Sequence, residues 1–241
     1  MSKNSQLYDF ERPLTTVDLV IFAVHEDELR VLLVQRPCSP GEPFAGKWAL
    51  PGGFVDTARD ENLEACARRK LVEKTGVEAP YLEQVGSFGS ASRDPRGWSA
   101  THVYFALVAS DSLTLHSGGN AADSRWFSIR GEGVGEKLAF DHSDILRVAQ
   151  LRLRSKVEYT SLPAFLLPGE FTLTHLQKIY EVILGRALEK KAFRTRMLAA
   201  DILEAVPRYK SGPNRPAQLY RLKRRRLAHI FSRPFGSAET P

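Results

Sequence analysis

The stretch that most narrows the possible folds runs from Trp48 to Gly76, WALPGGFVDTARDENLEACARRKLVEKTG. From Leu63 to Thr75 good helix formers dominate, Asn62 is placed to cap the helix start, and Gly76 is a natural stop. On either side lie segments rich in β-branched and aliphatic residues. Residues 16–24 (TVDLVIFAV) and 29–35 (LRVLLVQ) are separated by the polar break His25–Glu28, which reads as a hairpin turn. Residues 81–87, 101–108 and 123–128 read as further strands. Strands on both sides of an internal helix predict an α+β or α/β sandwich.

Composition limits the chemistry. Cys38 and Cys66 are the only cysteines, and the six histidines are scattered, so neither a disulfide framework nor a zinc site is expected. No apolar run approaches the roughly 18 residues of a membrane span. The start, MSKNSQLYDFERPL, lacks the apolar core of a signal peptide. The expectation is a reduced, cytoplasmic protein.

The stretch from Gly52 onward resembles the Nudix box: a Gly, five residues, Glu, seven residues, then Arg-Glu-aliphatic-x-Glu-Glu-x-Gly. Matched from its end, Gly76 closes the box, Leu71 is the aliphatic position, Arg69 the Arg and Glu61 the first Glu. Gly53 opens it, with seven residues rather than five before Glu61. The resemblance covers residues 12–150 and implies an α/β/α sandwich and a Glu61–Arg69 ion pair. In the enzymes, three carboxylates on one helix face hold Mg²⁺, which bridges to substrate phosphates and helps generate the attacking hydroxide. Here those positions are Lys70, Glu73 and Lys74. At about 5 Å and an effective dielectric of about 20, each lysine opposes a divalent ion by several kcal/mol. No catalytic residue, metal site or required cofactor is therefore expected. The pocket is expected to persist as a binding site, with Gly52 and Gly53 allowing close approach of a diphosphate. Arg36 and Arg69 are candidates for charge pairing, Glu73 remains on the helix, and Phe54, Trp98 and Trp126 are candidate stacking surfaces. Asp141-His142 is a further polar pair near a helix start.

Charge divides the chain. Residues 1–150 carry a net charge of −5 and residues 151–241 one of +11, an asymmetry that suggests an acidic domain joined to a nucleic-acid-binding one. The boundary is expected near 150–160, drawn as domains 1–152 and 153–241. Residues 144–154 pattern as an amphipathic helix. Thr172 or Thr174 caps another, with Leu176, Ile179, Tyr180 and Ile183 at core spacing and Gly185 as its stop. A second helix is predicted from Glu189 to Glu204, with Phe193, Met197 and Ile202 inward and Lys190, Lys191, Arg194 and Arg196 outward. Lys210, Asn214 and Arg215 lie on a basic Gly/Pro hairpin resembling the wing of a winged helix-turn-helix. The arginine-rich run 221–226 adds charge suited to phosphate contacts.

Both halves together resemble the Nudix-related transcriptional regulators of bacterial NAD metabolism, NrtR-type proteins with a degenerate Nudix domain and a winged helix. That resemblance implies ADP-ribose or a related nucleotide as effector. It also implies double-stranded palindromic operator DNA as partner, a homodimer, and repression of NAD biosynthesis or salvage genes. Two other readings stay open: a hydrolase of ADP-ribose or a similar nucleoside diphosphate derivative, and an RNA-binding adaptor, which the winged-helix order favours less.

Overall fold

The run Val17–Val24 lies at the centre of the molecule. In the computed structural model, which describes residues 11–76, 78–79, 81–109, 123–211, 216–224 and 227–235, it belongs to β1 (Leu14–His25). A strand buried on both faces reads as a continuous apolar run and not as an alternation. Val17, Leu19, Ile21 and Ala23 pack towards Cys66, Ala67 and Leu71 on one side of the sheet. Val20, Phe22 and Val24 join Ile145, Leu146 and Ala149 on the other. The polar exception in the run is Asp18, which is also buried.

Around β1 the sheet has seven strands. β2 (Glu28–Gln35), β3 (Trp48–Ala49), β4 (Gly52–Phe54), β5 (Tyr81–Ser90), β6 (Ser99–Leu107) and β7 (Asp123–Ser128) complete it, in the order β3-β2-β1-β6-β5 with β4 beside β1 and β7 beside β2. Only β1 and β6 pair in parallel among these. The β1–β2 turn places Glu26 and Asp27 at φ 51° and 60°, the two positive values of a tight two-residue hairpin. α1 (Leu63–Thr75) covers one face; the Asn62 side chain accepts the Ala65 N–H, and Gly76 ends it in the left-handed region. α2 (His142–Val157) covers the other face, completing the α/β/α sandwich.

α2 runs unbroken past position 152, where the sequence suggested a boundary. Leu153 and Val157 are fully buried, so the apolar stripe continues and the chain turns only at Glu158–Ser161. A short 3-10 helix (Leu162–Leu166) follows, then β8 (Phe171–Thr172), α3 (Leu173–Leu184) and α4 (Lys190–Ala199). Thr172 caps α3 by accepting the His175 N–H, and Gly185 stops it. α4 ends at Ala199, five residues before the predicted end at Glu204. Asp201 takes a left-handed conformation (φ 53°), and Ile202, expected on the helix stripe, lies beyond the helix. β9 (Leu203–Lys210) and β10 (Ala217–Leu222) then form the wing, with β8 on the far edge of β10. A single apolar core runs from the sheet through α2 into Phe165, Tyr180 and Phe193. The winged helix is therefore packed onto the sandwich and not hung from a free linker.

Candidate functional site

Where β1, the glycine turn and α1 meet, a cleft of about 710 Å³ opens, and α2 begins at its edge. Gly52 is required there: a Cβ would lie 2.0 Å from the Asp18 carboxylate and 2.5 Å from the Val17 carbonyl oxygen. Gly53 adopts φ 150°, with the Lys70 ammonium about 3.0 Å from where its Cβ would be. Lys70 thus leans over the turn that a diphosphate would approach. Among the described residues it has no carboxylate within ion-pair distance.

Arg69 does not pair with Glu61. Its guanidinium grips Asp60, Nε to Oδ1 at 2.7 Å and Nη2 to Oδ2 at 2.6 Å, and reaches Glu73 at 3.0 Å. The longer loop explains the shift. Asp56 and Asp60 close it by reciprocal hydrogen bonds, Asp60 N–H to the Asp56 carbonyl and Asp56 N–H to Oδ2 of Asp60. This turns Asp60 inward and leaves Glu61 exposed. The Arg69 hydrogen bonds hold the Asp60 carboxyl well below the usual carboxylate range and raise the guanidinium in return. Glu73, the acid left at the three metal-binding positions of the box, is engaged by Arg69 and lies 3.9 Å from Arg59. Burial pushes the Lys74 ammonium down; Glu73 opposes this and Lys70 adds to it. These residues do not fit a divalent cation, which needs several oxygen ligands with charge to share. Among the described residues no group of three or more His, Cys, Asp or Glu side chains is arranged for one.

The inner wall is a buried charge cluster. Arg93 donates to both oxygens of Asp141 at 3.0 and 2.9 Å and lies 3.6 Å from Asp18. His142 accepts the Leu50 N–H on Nδ1, which places its proton on Nε2, 3.5 Å from Asp18. Burial alone would raise the Asp18 carboxyl; His142, the Thr101 hydroxyl and Arg93 more than offset it, so Asp18 stays ionised. On the outer wall Asp94 holds Arg96 by two hydrogen bonds, and the Arg96 guanidinium sits 5.2 Å over the half-exposed Phe54 ring. Arg36 is held by Glu42 and the Pro43 carbonyl and stacks on Phe140 at 4.7 Å.

Of the residues expected at a ligand pocket, Arg36, Gly52, Gly53, Phe54, Arg69 and Glu73 line the cleft. Trp98 and Trp126 do not. Trp126 is paired with Leu32 across β7 and β2 and packs into the core under α1. Trp98 is 51% exposed and lies against Gly89 on the β5–β6 hairpin. The sequence reading missed Asp18, Asp60, Arg93, Asp94 and Arg96. An aspartate inside an apolar strand was the available signal for Asp18, and the loop RDPRGW the signal for the arginines.

On the winged helix, Lys190 and Lys191 stand exposed at the start of α4, where Glu189 caps the Lys191 and Ala192 N–H groups. The exposed face continues through Ala192, Thr195, Leu198 and Ala199. Arg194 is half-buried and donates to the Thr174 hydroxyl at 3.1 Å. Arg196, expected to face outward, instead turns inward over the rings of Phe231 and Phe235, because its side of the helix carries Phe193 and Met197. Lys210 is exposed at the end of β9; Asn214 and Arg215 lie outside the described residues. Several wing cations are neutralised locally, Arg208 by Glu170, Arg221 by Glu204 and Lys223 by Asp201. No described helix is long and apolar enough to cross a membrane.

Comparisons with known proteins bear on both regions. Residues 14–147 match the NUDIX domain, and residues 163–222 match the NrtR DNA-binding winged helix domain. A protein of Acinetobacter baylyi, the ADPR responsive transcriptional repressor NtrR, is 51% identical over 219 residues, covering 90% of this chain and 84% of its own. The crystal structure of Shewanella oneidensis NrtR complexed with a 27mer DNA superposes with a TM-score of 0.83 at 40% identity, over 92% of this chain and 99% of that one. The NUDIX domain of the same Shewanella protein, complexed with ADP ribose, matches with a TM-score of 0.54 at 43% identity, over 61% of this chain and 94% of that one.

Proposed function

The chain belongs to the NrtR family, a Nudix domain joined to a DNA-binding winged helix, and from that premise we propose that it is an ADP-ribose-responsive transcriptional repressor. The observation that carries this reading is α2, which begins at the cleft with His142 and ends at the winged helix with Val157. A ligand in the cleft thus meets one end of α2, and α2 packs on α3, which in turn contacts α4.

In this reading the adenosine diphosphate moiety lies along Gly52 and Gly53, with Arg36, Phe54, Arg69 and Glu73 around it. Lys70 and Lys74 supply, as fixed ammonium groups, the charge that a metal supplies in a hydrolase. They neutralise a diphosphate without activating water, so binding needs no metal and no hydrolysis follows. Lys190, Lys191 and Lys210 meet backbone phosphates, and Thr195, exposed on the same helix, is the proposed contact to base edges. A homodimer on a palindromic operator doubles a contact that one winged helix makes too small for strong specificity. The regulated genes are those of NAD biosynthesis or salvage, and the protein works in the cytoplasm. Ligand shifts the equilibrium between dimer arrangements whose recognition helices do and do not match the half-site spacing.

Fluorescence anisotropy tests this, with a duplex from the gene's own upstream region, a scrambled control, and ADP-ribose titrated at fixed salt. Tight binding to the first duplex alone, altered by ADP-ribose and insensitive to chelator, is the expected result. Equal binding to both duplexes removes the repressor reading. Mg²⁺-dependent release of AMP from ADP-ribose at ordinary enzyme rates removes the loss of hydrolysis.

A further inference from the structure

Past the wing, and beyond the residues matched by the winged-helix family, the chain folds back. Residues 227–235 run against the interdomain turn Glu158–Ser161. Ser161 N–H donates to the His229 carbonyl at 2.9 Å, His229 N–H to the Ser161 hydroxyl at 2.8 Å, Phe231 N–H to the Tyr159 carbonyl at 2.8 Å, and Phe235 N–H to the Glu158 carbonyl at 2.7 Å. Thr160 and Ile230 form an antiparallel bridge. With its backbone tied there, the segment buries Phe231 and Phe235.

Those two rings share a cation from α4. The Arg196 guanidinium centre lies 4.9 Å from the Phe231 centroid and 4.2 Å from that of Phe235. Phe235 also meets Phe193 of α4 at 5.8 Å and Tyr180 of α3 at 4.9 Å, and its carbonyl accepts from Arg186 in the α3–α4 turn at 2.9 Å. The Tyr180 hydroxyl closes the circuit by donating to the Thr160 carbonyl at 2.7 Å. The two rings meet edge to face, 75° apart with centroids 5.6 Å apart, so the guanidinium sits against both from one side and is held in position by two cation–π contacts.

We propose that residues 227–235 are a strap fixing α4 to the interdomain turn, and that Arg196 is a positioning residue for operator binding and not a phosphate contact. The proposal rests on α4 being the helix that enters DNA. Without the strap, α4 is attached to its domain by the apolar contacts of Phe193 and Met197, the Arg194–Thr174 hydrogen bond and its two flanking turns. It then samples orientations in which the exposed Lys191–Thr195 face no longer meets the groove.

The test uses the full chain with Arg196→Met, Phe235→Leu and the double substitution, both changes keeping apolar bulk so that the fold survives. Two quantities are read: operator affinity as a function of salt, and hydrogen exchange of the Lys190–Ala199 amides without DNA. Each single variant is expected to weaken operator binding by about tenfold with the wild-type salt slope, and the double to be no weaker than the worse single. Amide exchange in α4 should quicken in all three, while ADP-ribose affinity by calorimetry stays as in the wild type. If Arg196→Met lowers the salt slope by about one while Phe235→Leu binds normally, Arg196 contacts a phosphate and the proposal fails. Unchanged exchange in α4 also overturns it. Should the wild-type protein bind no operator duplex, the DNA reading itself fails, and the exchange comparison still decides whether the strap holds the helix.

Discussion

The cleft and the exposed face of α4 both carry cations suited to phosphate, and they are built on opposite rules. Around the cleft Arg36, Arg69, Arg93 and Arg96 are each held by a carboxylate, and Lys70 leans over the glycine turn. On α4 Lys190 and Lys191 extend into solvent with no ion pair among the described residues. A small ligand offers few contacts, so its site gains from groups already oriented before it arrives. A duplex offers a phosphate every few ångströms and releases counterions when neutralised, so charge count matters more than orientation. The difference teaches that one excess of basic residues serves two purposes, separable by how the charges are held.

Four experiments break or sharpen that contrast. The largest effect is expected at Gly52. In Gly52→Ala the new methyl meets the Asp18 carboxylate and the Val17 carbonyl, lowering unfolding free energy by about 3 kcal/mol in urea titration. Thr195→Ala, on the exposed face of α4, should change stability by less than about 0.5 kcal/mol while weakening operator binding. Equal stability for the two variants would mean the cleft is not the built region described.

Next, Lys70→Glu should weaken ADP-ribose binding in chelator by on the order of 100-fold in calorimetry, with added Mg²⁺ recovering part of the loss. Undiminished binding in chelator would remove Lys70 from the site. Lys191→Ala is expected to act more gently, reducing operator affinity a few-fold and the salt slope by about one, with ADP-ribose affinity unaffected. A salt slope identical to the wild type would take Lys191 off the DNA.

The smallest difference concerns acid. The Asp60 carboxyl is depressed by Arg69, so its stabilisation is fully present above the ordinary carboxylate pKa, about 3.9, and is lost as pH falls from there towards the folded value. Urea midpoints of Asp60→Asn should therefore fall less steeply with acidification below about pH 4 than those of the wild type. Glu204→Gln should follow the wild-type curve closely, because the Glu204–Arg221 pair is exposed on the wing and screened. Parallel curves for all three proteins would show that the Arg69–Asp60 pair contributes no more than a surface one.

How much was legible in the sequence follows from the range of each interaction. The hairpin at Glu26-Asp27, the Asn62 cap and the Gly76 and Gly185 stops are decided within a few residues, and each stands where propensity placed it. α4 ran short because a helical pattern reads through Ala199 to Glu204, whereas the pairing of Leu203 with Leu222 claims that backbone for the wing. Trp126 was misjudged because a tryptophan in a strand suits a ligand wall or a core equally until the sheet decides which face it takes.

By itself the sequence determined the elements, the glycine turn, the lysines in the box helix and the division of charge, because caps, periodicity and spaced motifs act locally. Only the tertiary structure decided that Arg69 grips Asp60 and not Glu61, that Arg93 and His142 enclose Asp18, and that Arg196 turns from solvent to Phe231 and Phe235. These partners lie far apart in the chain or differ by one position in a loop. Which charge meets which is set by where packing of the sheet, α2 and the returning tail brings them within a few ångströms, a distance no spacing along the chain encodes.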